Sequence, residues 1–290
     1  MLGKGWDPIG DYQKVRCLII PLTIVLCLLA SKAPAGKKFP VDLELVLAVD
    51  VSGSVDEDEA ALQRIGYVNA IRDPEVINAI TSGFLRRIGI TYFEWAGGSW
   101  QKPVMGWTLI DGEKAAEKFA SDLAKKPLGF GPWTSISSAI SYGMALLEQS
   151  PFEGTRQIID VSGDGPNNTG LKVNLLRDQA VAKRITINGL PIINDRPNFG
   201  RKPMPNLDLY YRNCVIGGPR AFIVAANGFQ DFSRAIRRKL ILEIANHTPS
   251  RENRIFSAEV AQTNLAPGSN RWIPPCDEGE KNFGGSIDDE

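Results

Sequence analysis

The sequence predicts an α/β fold: a doubly wound, mostly parallel sheet with one antiparallel edge strand and helices on both faces. Short apolar runs, typical of strands buried on both faces, alternate along the chain with longer segments of helical spacing. Two of these runs, 87–95 and 104–110, flank Gly97-Gly98-Ser99, which indicates a hairpin and therefore one antiparallel pair. Because the chain has 290 residues and 43% of them are hydrophobic, it can bury one large core.

The order of the elements follows from the same patterns. The strand that comes first, LELVLAV at 43–49, is almost wholly apolar, and acidic residues 56–59 then occupy the first turn of a helix, where they complement its dipole. The strands are expected at 43–49, 87–95, 104–110, 157–162, 185–193 and 221–225. The helices are expected at 56–80, 112–125, 135–149, 171–183, 208–212 and 231–245. Together these elements predict one domain at 41–246.

Residues 1–35 have the three parts of a secretory signal peptide. Lys14 and Arg16 precede an apolar run at 17–30, and small residues follow around the expected cleavage site after Ala35. As a helix this run would reach only ~21 Å, against a hydrocarbon core of ~30 Å, which favours a signal over a spanning anchor. We therefore expect a periplasmic or secreted chain with no strong membrane interaction after signal removal. An uncleaved inner-membrane anchor is the alternative.

Charge and histidine content exclude several classes of function. Lys and Arg number 33 and so do Asp and Glu, so no basic excess is available for nucleic-acid phosphates, and we expect no nucleic-acid partner. The single histidine, His247, lies in a polar stretch, which argues against serine triads, Cys-His dyads and His-rich zinc sites. From 247 to 290 the chain is polar and rich in Pro and Gly, and we expect a mostly disordered tail.

Side chains with oxygen ligands occur at three turns of the predicted fold. Two of these turns directly follow a strand, and the other directly precedes a helix. Asp50, Ser52 and Ser54 form a D-x-S-x-S pattern, Thr134 stands directly before a predicted helix, and Asp164 lies between two glycines. Each taken alone is also explained by a helix cap or a turn. Ligands of open α/β sheets bind beyond the carboxyl ends of the strands, and the joint occurrence of the three loops there favours a metal site.

These motifs together resemble the metal-ion-dependent adhesion site of von Willebrand factor A (vWA) domains, which is built from D-x-S-x-S, a distant Thr and a distant Asp. The resemblance covers roughly 41–245 and implies a vWA/Rossmann-like fold. Several stretches are also similar to a bacterial family of exported A-domain proteins of unknown function: VDLELVLAVDVSGSVDEDE, TYFEW, IIDVSGDGPNN, INGLPI and YYRNCVIGGP. The metal ligands that the resemblance implies are Asp50, Ser52, Ser54, Thr134 and Asp164. Pro132 and Trp133 stand where A domains usually have small residues, so Ser135 is the alternative to Thr134.

The ligand types set the expected function. Carboxylates and hydroxyls are hard ligands, which suit Mg²⁺ first and also Mn²⁺ or Ca²⁺. Two carboxylates at most balance the charge of the ion, so an open coordination position attracts an outside carboxylate, and in the vWA family an acidic residue of a partner protein fills it. We expect a divalent-cation-dependent protein-binding module that holds an Asp or Glu of an unknown partner, and no enzyme, because a catalytic metal needs a base to activate water.

Two alternatives differ in class from this expectation. A metal-dependent phosphoester hydrolase is indicated by the acidic strand ends, although Ser52 stands in place of the second Asp of a D-x-D motif. A metal-free scaffold would use Asp50 and Asp164 only for capping and turning.

Several other residues have more than one possible role. Cys214 and Cys276 are the only cysteines beyond the predicted signal, and they either form a disulfide that holds the tail or stay free, with Cys214 buried. Asp160 is either a hydrogen-bond partner of the site or a structural buried carboxylate. We interpret Asn167-Asn168 as a turn and Trp133 as a loop anchor.

Overall fold

The structure is a computed structural model that describes residues 1, 3, 37–197, 202–245 and 271–282. The chain divides into two units, Met1–Lys37 and Lys38–Glu290. Of the first unit only residues 1, 3 and 37 are described, so nearly all of the predicted signal lies outside the described residues, as does His247. None of the helices in the described ranges is both long enough and apolar enough to span a bilayer.

The second unit alternates strands and helices, as the sequence predicts. It also contains a π-helical turn at Tyr211–Val215 and a 3₁₀ turn at Phe229–Asp231. In chain order the elements are β1 (Phe39–Val41), β2 (Leu43–Asp50), α1 (Glu57–Arg72), α2 (Pro74–Thr81), β3 (Ile88–Trp95), β4 (Gln101–Ile110), α3 (Glu113–Ala124), α4 (Ile136–Glu148), β5 (Phe152–Gly154), β6 (Gln157–Gly163), α5 (Val173–Ala182), β7 (Thr186–Ile193), α6 (Leu207–Tyr210), β8 (Ala226–Asn227), α7 (Phe232–Ile244) and α8 (Glu278–Asn282).

A six-stranded sheet in the order β4-β3-β2-β6-β7-β8 forms the centre of this unit. Every neighbouring pair is parallel except β3 and β4, which run antiparallel at one edge. The predicted fold class is therefore confirmed. A second, two-stranded parallel sheet joins β1 to β5. The sequence does not predict it, because three-residue strands are too short to show a period.

Helices cover both faces of the central sheet. Side chains alternate along a strand, so Leu45 and Leu47 of β2 join one apolar layer, whereas Val46 and Ala48 join the other. The first layer lies beneath α1, α2, α3 and α7, and the second beneath α4, α5 and α6. All eight residues of β2 are buried, which explains why its sequence is a continuous apolar run rather than an alternating one.

The expectation of a single helix at 56–80 is wrong, because the chain breaks at Asp73-Pro74 into α1 and α2. Proline has no backbone N–H to continue the ladder of α1, but it fits the first position of a new helix. The Asp73 side chain caps that new helix by accepting a hydrogen bond from the backbone N–H of Glu75 at 2.9 Å.

Two further elements differ in extent from the sequence expectation. The predicted strand at 221–225 contributes only an isolated bridge between Ile223 and Gly189, and the paired strand is β8. The N–H of Phe222 donates to the side chain of Asn188 at 3.0 Å instead of extending a ladder. The short helix expected at 208–212 begins at Leu207 and continues as the π-helical turn to Val215.

Candidate metal centre

The candidate site lies where β2 and β6 meet. The chain leaves β2 to form β3 on one side and later adds β6 on the other, so the loops after β2 and β6 diverge and leave a crevice at the carboxyl ends of the strands. Asp50 ends β2 and Asp164 directly follows β6. Both side chains are buried in this crevice.

The structure brings the five predicted ligand residues together. Ser52 Oγ lies 3.1 Å from Ser54 Oγ and accepts a hydrogen bond from Thr134 Oγ1 at 3.1 Å. Ser54 Oγ donates to Asp164 Oδ1 at 2.5 Å, and the backbone N–H of Ser52 donates to Asp50 Oδ1 at 2.8 Å. The backbone N–H of Ser52 and the hydroxyls of Ser52 and Ser54 therefore link Asp50 to Asp164, and the Thr134 hydroxyl joins this chain of contacts at Ser52.

The loop after β2 keeps its ligand side chains clear of the following helix. Asp56 is the N-cap of α1: its carboxylate accepts from the N–H of Glu59 at 2.8 Å, while Glu59 accepts from the N–H of Asp56 at 3.1 Å. Gln63 Nε2 on the same helix donates to the backbone carbonyl of Asp50 at 3.0 Å and holds the end of the strand. Because Asp56 supplies the cap, capping does not explain Asp50, Ser52 or Ser54.

In the loop before α4, the hydroxyl that faces the crevice belongs to Thr134. Ser135 is instead the N-cap of α4, and its Oγ accepts from the N–H of Ser138 at 3.3 Å. Thr134 is held by two hydrogen bonds with Asn168, one from its own N–H to Asn168 Oδ1 and one from the N–H of Asn168 to its carbonyl, each 2.8 Å.

Asn167 lies in the expected turn and also makes hydrogen bonds with two helices. Its Oδ1 accepts from the N–H of Ser137 at 2.9 Å in the first turn of α4, and its Nδ2 donates to Glu280 Oε1 of α8 at 2.8 Å. With Asn168 it ties the loop that carries Asp164 to the loop that carries Thr134. The Asn-Asn pair was visible in the sequence, but the pair signals only a turn, and the partners of an amide depend on the fold.

The electrostatics of the crevice favour a bound cation. Burial raises the pKa of Asp50 well above its ordinary value, and the nearby charge of Asp164 raises it further. Burial also raises the pKa of Asp164, to about 6. Two buried carboxylates repel each other when both are ionised, and a divalent cation between them would remove that cost.

The residues present fit a hard divalent ion. Asp50 Oδ2 is buried and has no hydrogen-bond partner within the part of the chain that the structure describes. A Cβ at Gly163 would lie 2.8 Å from this oxygen, so glycine keeps the space beside it open. No group of three or more His, Cys, Asp or Glu side chains that could hold a metal occurs among the described residues. The cluster has two carboxylates and three hydroxyls, a set that suits Mg²⁺ better than a soft metal.

Asp160 lies in a separate buried cluster. Lys239 Nζ of α7 forms ion pairs with both Asp160 and Glu243, and all three side chains are buried. Asn188 Nδ2 completes the cluster by donating to Glu243 Oε1 at 2.8 Å. The structural interpretation of Asp160 therefore fits these contacts.

A disulfide joins Cys214, at the end of the π-helical turn, to Cys276, with a Cα–Cα distance of 5.3 Å. The structure thus has the first of the two arrangements that the sequence left open. Arg271 makes a two-pronged contact with Asp208 of α6, at 2.9 and 2.6 Å. Residues 271–282, within the expected tail, are therefore attached to the domain, while 246–270 and 283–290 lie outside the described residues.

Solved structures share this fold at low sequence identity. Proximal thread matrix protein 1 from the mussel byssus is 14% identical with a TM-score of 0.51, and the match covers 72% of this chain and 48% of that chain. The pilus adhesin SpaC from Lactobacillus rhamnosus GG is 13% identical with a TM-score of 0.52, covering 72% and 32%. A von Willebrand factor type A protein from Catenulispora acidiphila is 11% identical with a TM-score of 0.47, covering 71% and 43%. The chain spans about half or less of the length of these proteins.

Sequence comparison supplies the family. A search of curated proteins finds no match. Residues 40–248 match the profile of a family described as protein of unknown function (DUF1194), and this match spans well over half of the chain. The implied vWA-like α/β fold is confirmed. The chain therefore belongs to the DUF1194 family of proteins of unknown function.

Proposed function

We propose that the protein binds a divalent cation, with a preference for Mg²⁺. The bound cation would hold an Asp or Glu side chain of a partner protein. The observation that carries the proposal is the buried Asp50 Oδ2, which lacks a hydrogen-bond partner among the described residues although three hydroxyls and a second carboxylate lie in the same crevice. An unpaired buried carboxylate oxygen costs free energy, and a bound cation would offset that cost. The proposed ligands are Asp50, Ser52, Ser54, Thr134 and Asp164.

Binding is better supported than catalysis. Two carboxylates at most neutralise the ion and the hydroxyl ligands are neutral, so the ion keeps its attraction for an outside carboxylate. Asp164 is the single carboxylate among the described residues that line the opening above the site, and it is itself a proposed ligand. A hydrolase would need a further base there to activate water.

We also propose that the protein works outside the cytoplasm, in the periplasm or secreted, with an inner-membrane anchor as the alternative. The disulfide between Cys214 and Cys276 supports this compartment, because disulfides persist in oxidising surroundings. One protein that shares the fold is named a pilus adhesin, and we carry an adhesive role to this chain only as part of the proposal.

Isothermal titration calorimetry with Mg²⁺ and Mn²⁺ tests the metal site. Asp50→Asn keeps the size of the side chain and an acceptor for the N–H of Ser52 while removing the charge, and Asp111→Asn, at an exposed carboxylate outside the crevice, is the matched control. We expect one site in the wild type and the control, and none in Asp50→Asn. Absent binding in the wild type, or equal binding in all three proteins, contradicts the proposal. Turnover of a generic phosphoester that disappears in Asp50→Asn would favour the hydrolase.

A further inference from the structure

The crevice opens to solvent through a cavity of about 590 Å³ whose wall is largely apolar. Ser54, Thr134 and Asp164 form part of its lining, so the cavity leads directly to the proposed ligands. The large apolar side chains of the lining are Phe130 and Trp133 on one loop and Met204 on another, and three prolines add to the apolar wall. A ligand carboxylate that reaches the metal must therefore pass beside aromatic side chains.

Two large aromatic side chains are exposed at this opening. Phe130 is 65% exposed and Trp133 is 49% exposed, so about half of the side chain that the sequence suggested as a loop anchor faces solvent. Large exposed aromatic groups beside a polar cleft are typical of binding surfaces, since each leaves apolar area in water.

The backbone of Trp133 adopts a strained conformation. Its φ is 60°, in the left-handed region that a tryptophan rarely adopts and that costs ~1–3 kcal/mol. The carbonyl of Pro132 accepts from the N–H of Gly97 at 2.9 Å, and the N–H of Ser135 donates to the carbonyl of Ala96 at 2.8 Å. These bonds fix the chain on both sides of Trp133, so the indole is presented by a rigid loop rather than a loose one.

Charged groups at the opening favour an acidic ligand. Arg196 and Lys202 line the cavity and both are exposed. The Arg196 guanidinium also lies 3.8 Å from the carboxylate of Glu59, which offsets part of its charge. With a divalent cation balancing Asp50 and Asp164, the remaining charge of the lining is positive.

We propose that this cavity selects a protein segment in which the metal-binding Asp or Glu stands next to a large apolar residue, which packs against Trp133 and Phe130. The inference rests on the proposed function and adds the sequence preference of the partner. Trp133 directly precedes the proposed ligand Thr134, so a residue adjacent to the partner's carboxylate reaches the indole. The metal and the basic residues select acidity, and the aromatic pair selects the apolar neighbour.

Selection from a phage-displayed library of random peptides tests this preference. The wild-type protein is panned in Mg²⁺ and bound phage are eluted with EDTA. We expect the eluted sequences to pair Asp or Glu with an adjacent Phe, Tyr, Trp, Leu or Met. A synthetic, fluorescently labelled peptide of the enriched sequence is then compared by anisotropy with the same peptide carrying Ser in place of the apolar residue. We expect binding of the Ser peptide to be at least ~10-fold weaker.

Variants of Trp133 separate the indole from the loop. Trp133→Asn removes the aromatic ring but tolerates the left-handed conformation, and Trp133→Phe keeps a ring. We expect Trp133→Asn to weaken peptide binding at least ~10-fold with unchanged Mg²⁺ affinity, and Trp133→Phe to retain most of it. The control is Phe84→Ser, because Phe84 is 94% exposed but precedes β3 at the opposite end of the sheet, and we expect no change there.

Four results would overturn the inference. EDTA-eluted peptides with acidic residues but no apolar neighbour would do so while leaving the proposed function intact, as would undiminished peptide binding by Trp133→Asn. A parallel loss of Mg²⁺ affinity in Trp133→Asn would show that the residue acts on the metal loop instead. Absence of both Mg²⁺ binding and EDTA-elutable peptides would refute the proposed function, and this inference with it.

Discussion

Asn167 Nδ2 donates a hydrogen bond to Glu280 Oε1 at 2.8 Å, and this bond ties the loop that carries Asp164 to helix α8. Gly279 packs against the same residue, since a Cβ added there would lie 1.9 Å from the Asn167 carbonyl oxygen. The disulfide at Cys276 anchors the segment just before α8. The candidate metal centre is thus braced by a part of the chain more than a hundred residues away.

Glu280→Ala is expected to weaken Mg²⁺ binding. The substitution removes an acceptor that orients Asn167 and, through Asn168, the backbone of Thr134. Removing a direct hydrogen-bond partner of a metal ligand lowers affinity by ~10-fold or more, and we expect a smaller loss here because Glu280 acts one contact further out. Calorimetry measures the affinity, and Glu278→Ala is the matched control, because Glu278 contacts Asn282 on its own helix instead. Equal affinities in the two variants would contradict the bracing role.

Cys276→Ser is expected to lower the free energy of unfolding. The disulfide closes a loop with a sequence separation of 62, for which the chain-entropy relation predicts at most about 4 kcal/mol. Urea denaturation of the wild type with and without reductant measures the effect, and reductant should leave the midpoint of Cys276→Ser unchanged. A wild-type midpoint that does not respond to reductant would contradict a bond that stabilises the fold.

Thr134→Val is expected to change metal affinity, whereas Ser135→Ala is expected to change stability. Thr134→Val removes a hydroxyl from the cluster at nearly constant volume and should weaken Mg²⁺ binding with little change in stability. Ser135→Ala removes the N-cap of α4 and should cost ~1 kcal/mol of unfolding free energy with Mg²⁺ affinity retained. Calorimetry and urea denaturation are run on both proteins. Loss of metal affinity in Ser135→Ala alone would make Ser135 the ligand.

Lys239→Met is expected to destabilise the fold far more than Glu243→Gln. Above pH 7, where Glu243 is ionised, Lys239 is the cation between two buried carboxylates, Asp160 and Glu243, and its removal leaves both without a counter-charge, at a cost of ~3–5 kcal/mol. Glu243→Gln keeps an oxygen acceptor for Asn188 and leaves a balanced pair between Lys239 and Asp160. Urea denaturation compares the two variants, and similar midpoints would contradict the central role of Lys239.

The stability of the wild type is expected to fall as pH rises from about 5 to about 7.5. Burial raises the pKa of Glu243 to about 7, so the stability that its protonated form contributes is complete below its ordinary pKa and is lost as pH rises through 7. The charged or titratable groups that face it are Asp160, Lys239, Arg156 and Tyr67.

Glu243→Gln isolates this contribution. The difference in unfolding free energy between wild type and Glu243→Gln should change by about 1–3 kcal/mol over that pH range, to the disadvantage of the wild type at the higher pH. Urea denaturation at several pH values measures it. A difference that stays constant with pH would contradict an elevated pKa for Glu243.

Local patterns in the sequence were sufficient for most elements, whereas the proposed ligand set came from the resemblance to vWA domains. The continuous apolar run of β2 predicts a strand buried on both faces, and the hairpin glycines predict the antiparallel edge. D-x-S-x-S, Thr134 and Asp164 are each recognisable at a strand end or before a helix. Hydrophobic periodicity and turn-forming residues depend on a few neighbouring positions, so both can be recognised in the sequence without knowledge of the fold. The break at Pro74 is equally local, because a proline cannot continue the hydrogen-bond ladder of a helix.

Pairings between distant residues could not be obtained in this way. Nothing in the neighbourhood of Asn167 indicates Glu280, nothing beside Asp160 indicates Lys239, and Cys214 with Cys276 was compatible with both a bond and two free thiols. A buried amide, carboxylate or thiol has the same sequence signature whichever partner satisfies it. The partner is chosen by the topology, because the crossover from β4 to β6 and the return of residues 271–282 decide which distant side chains come together.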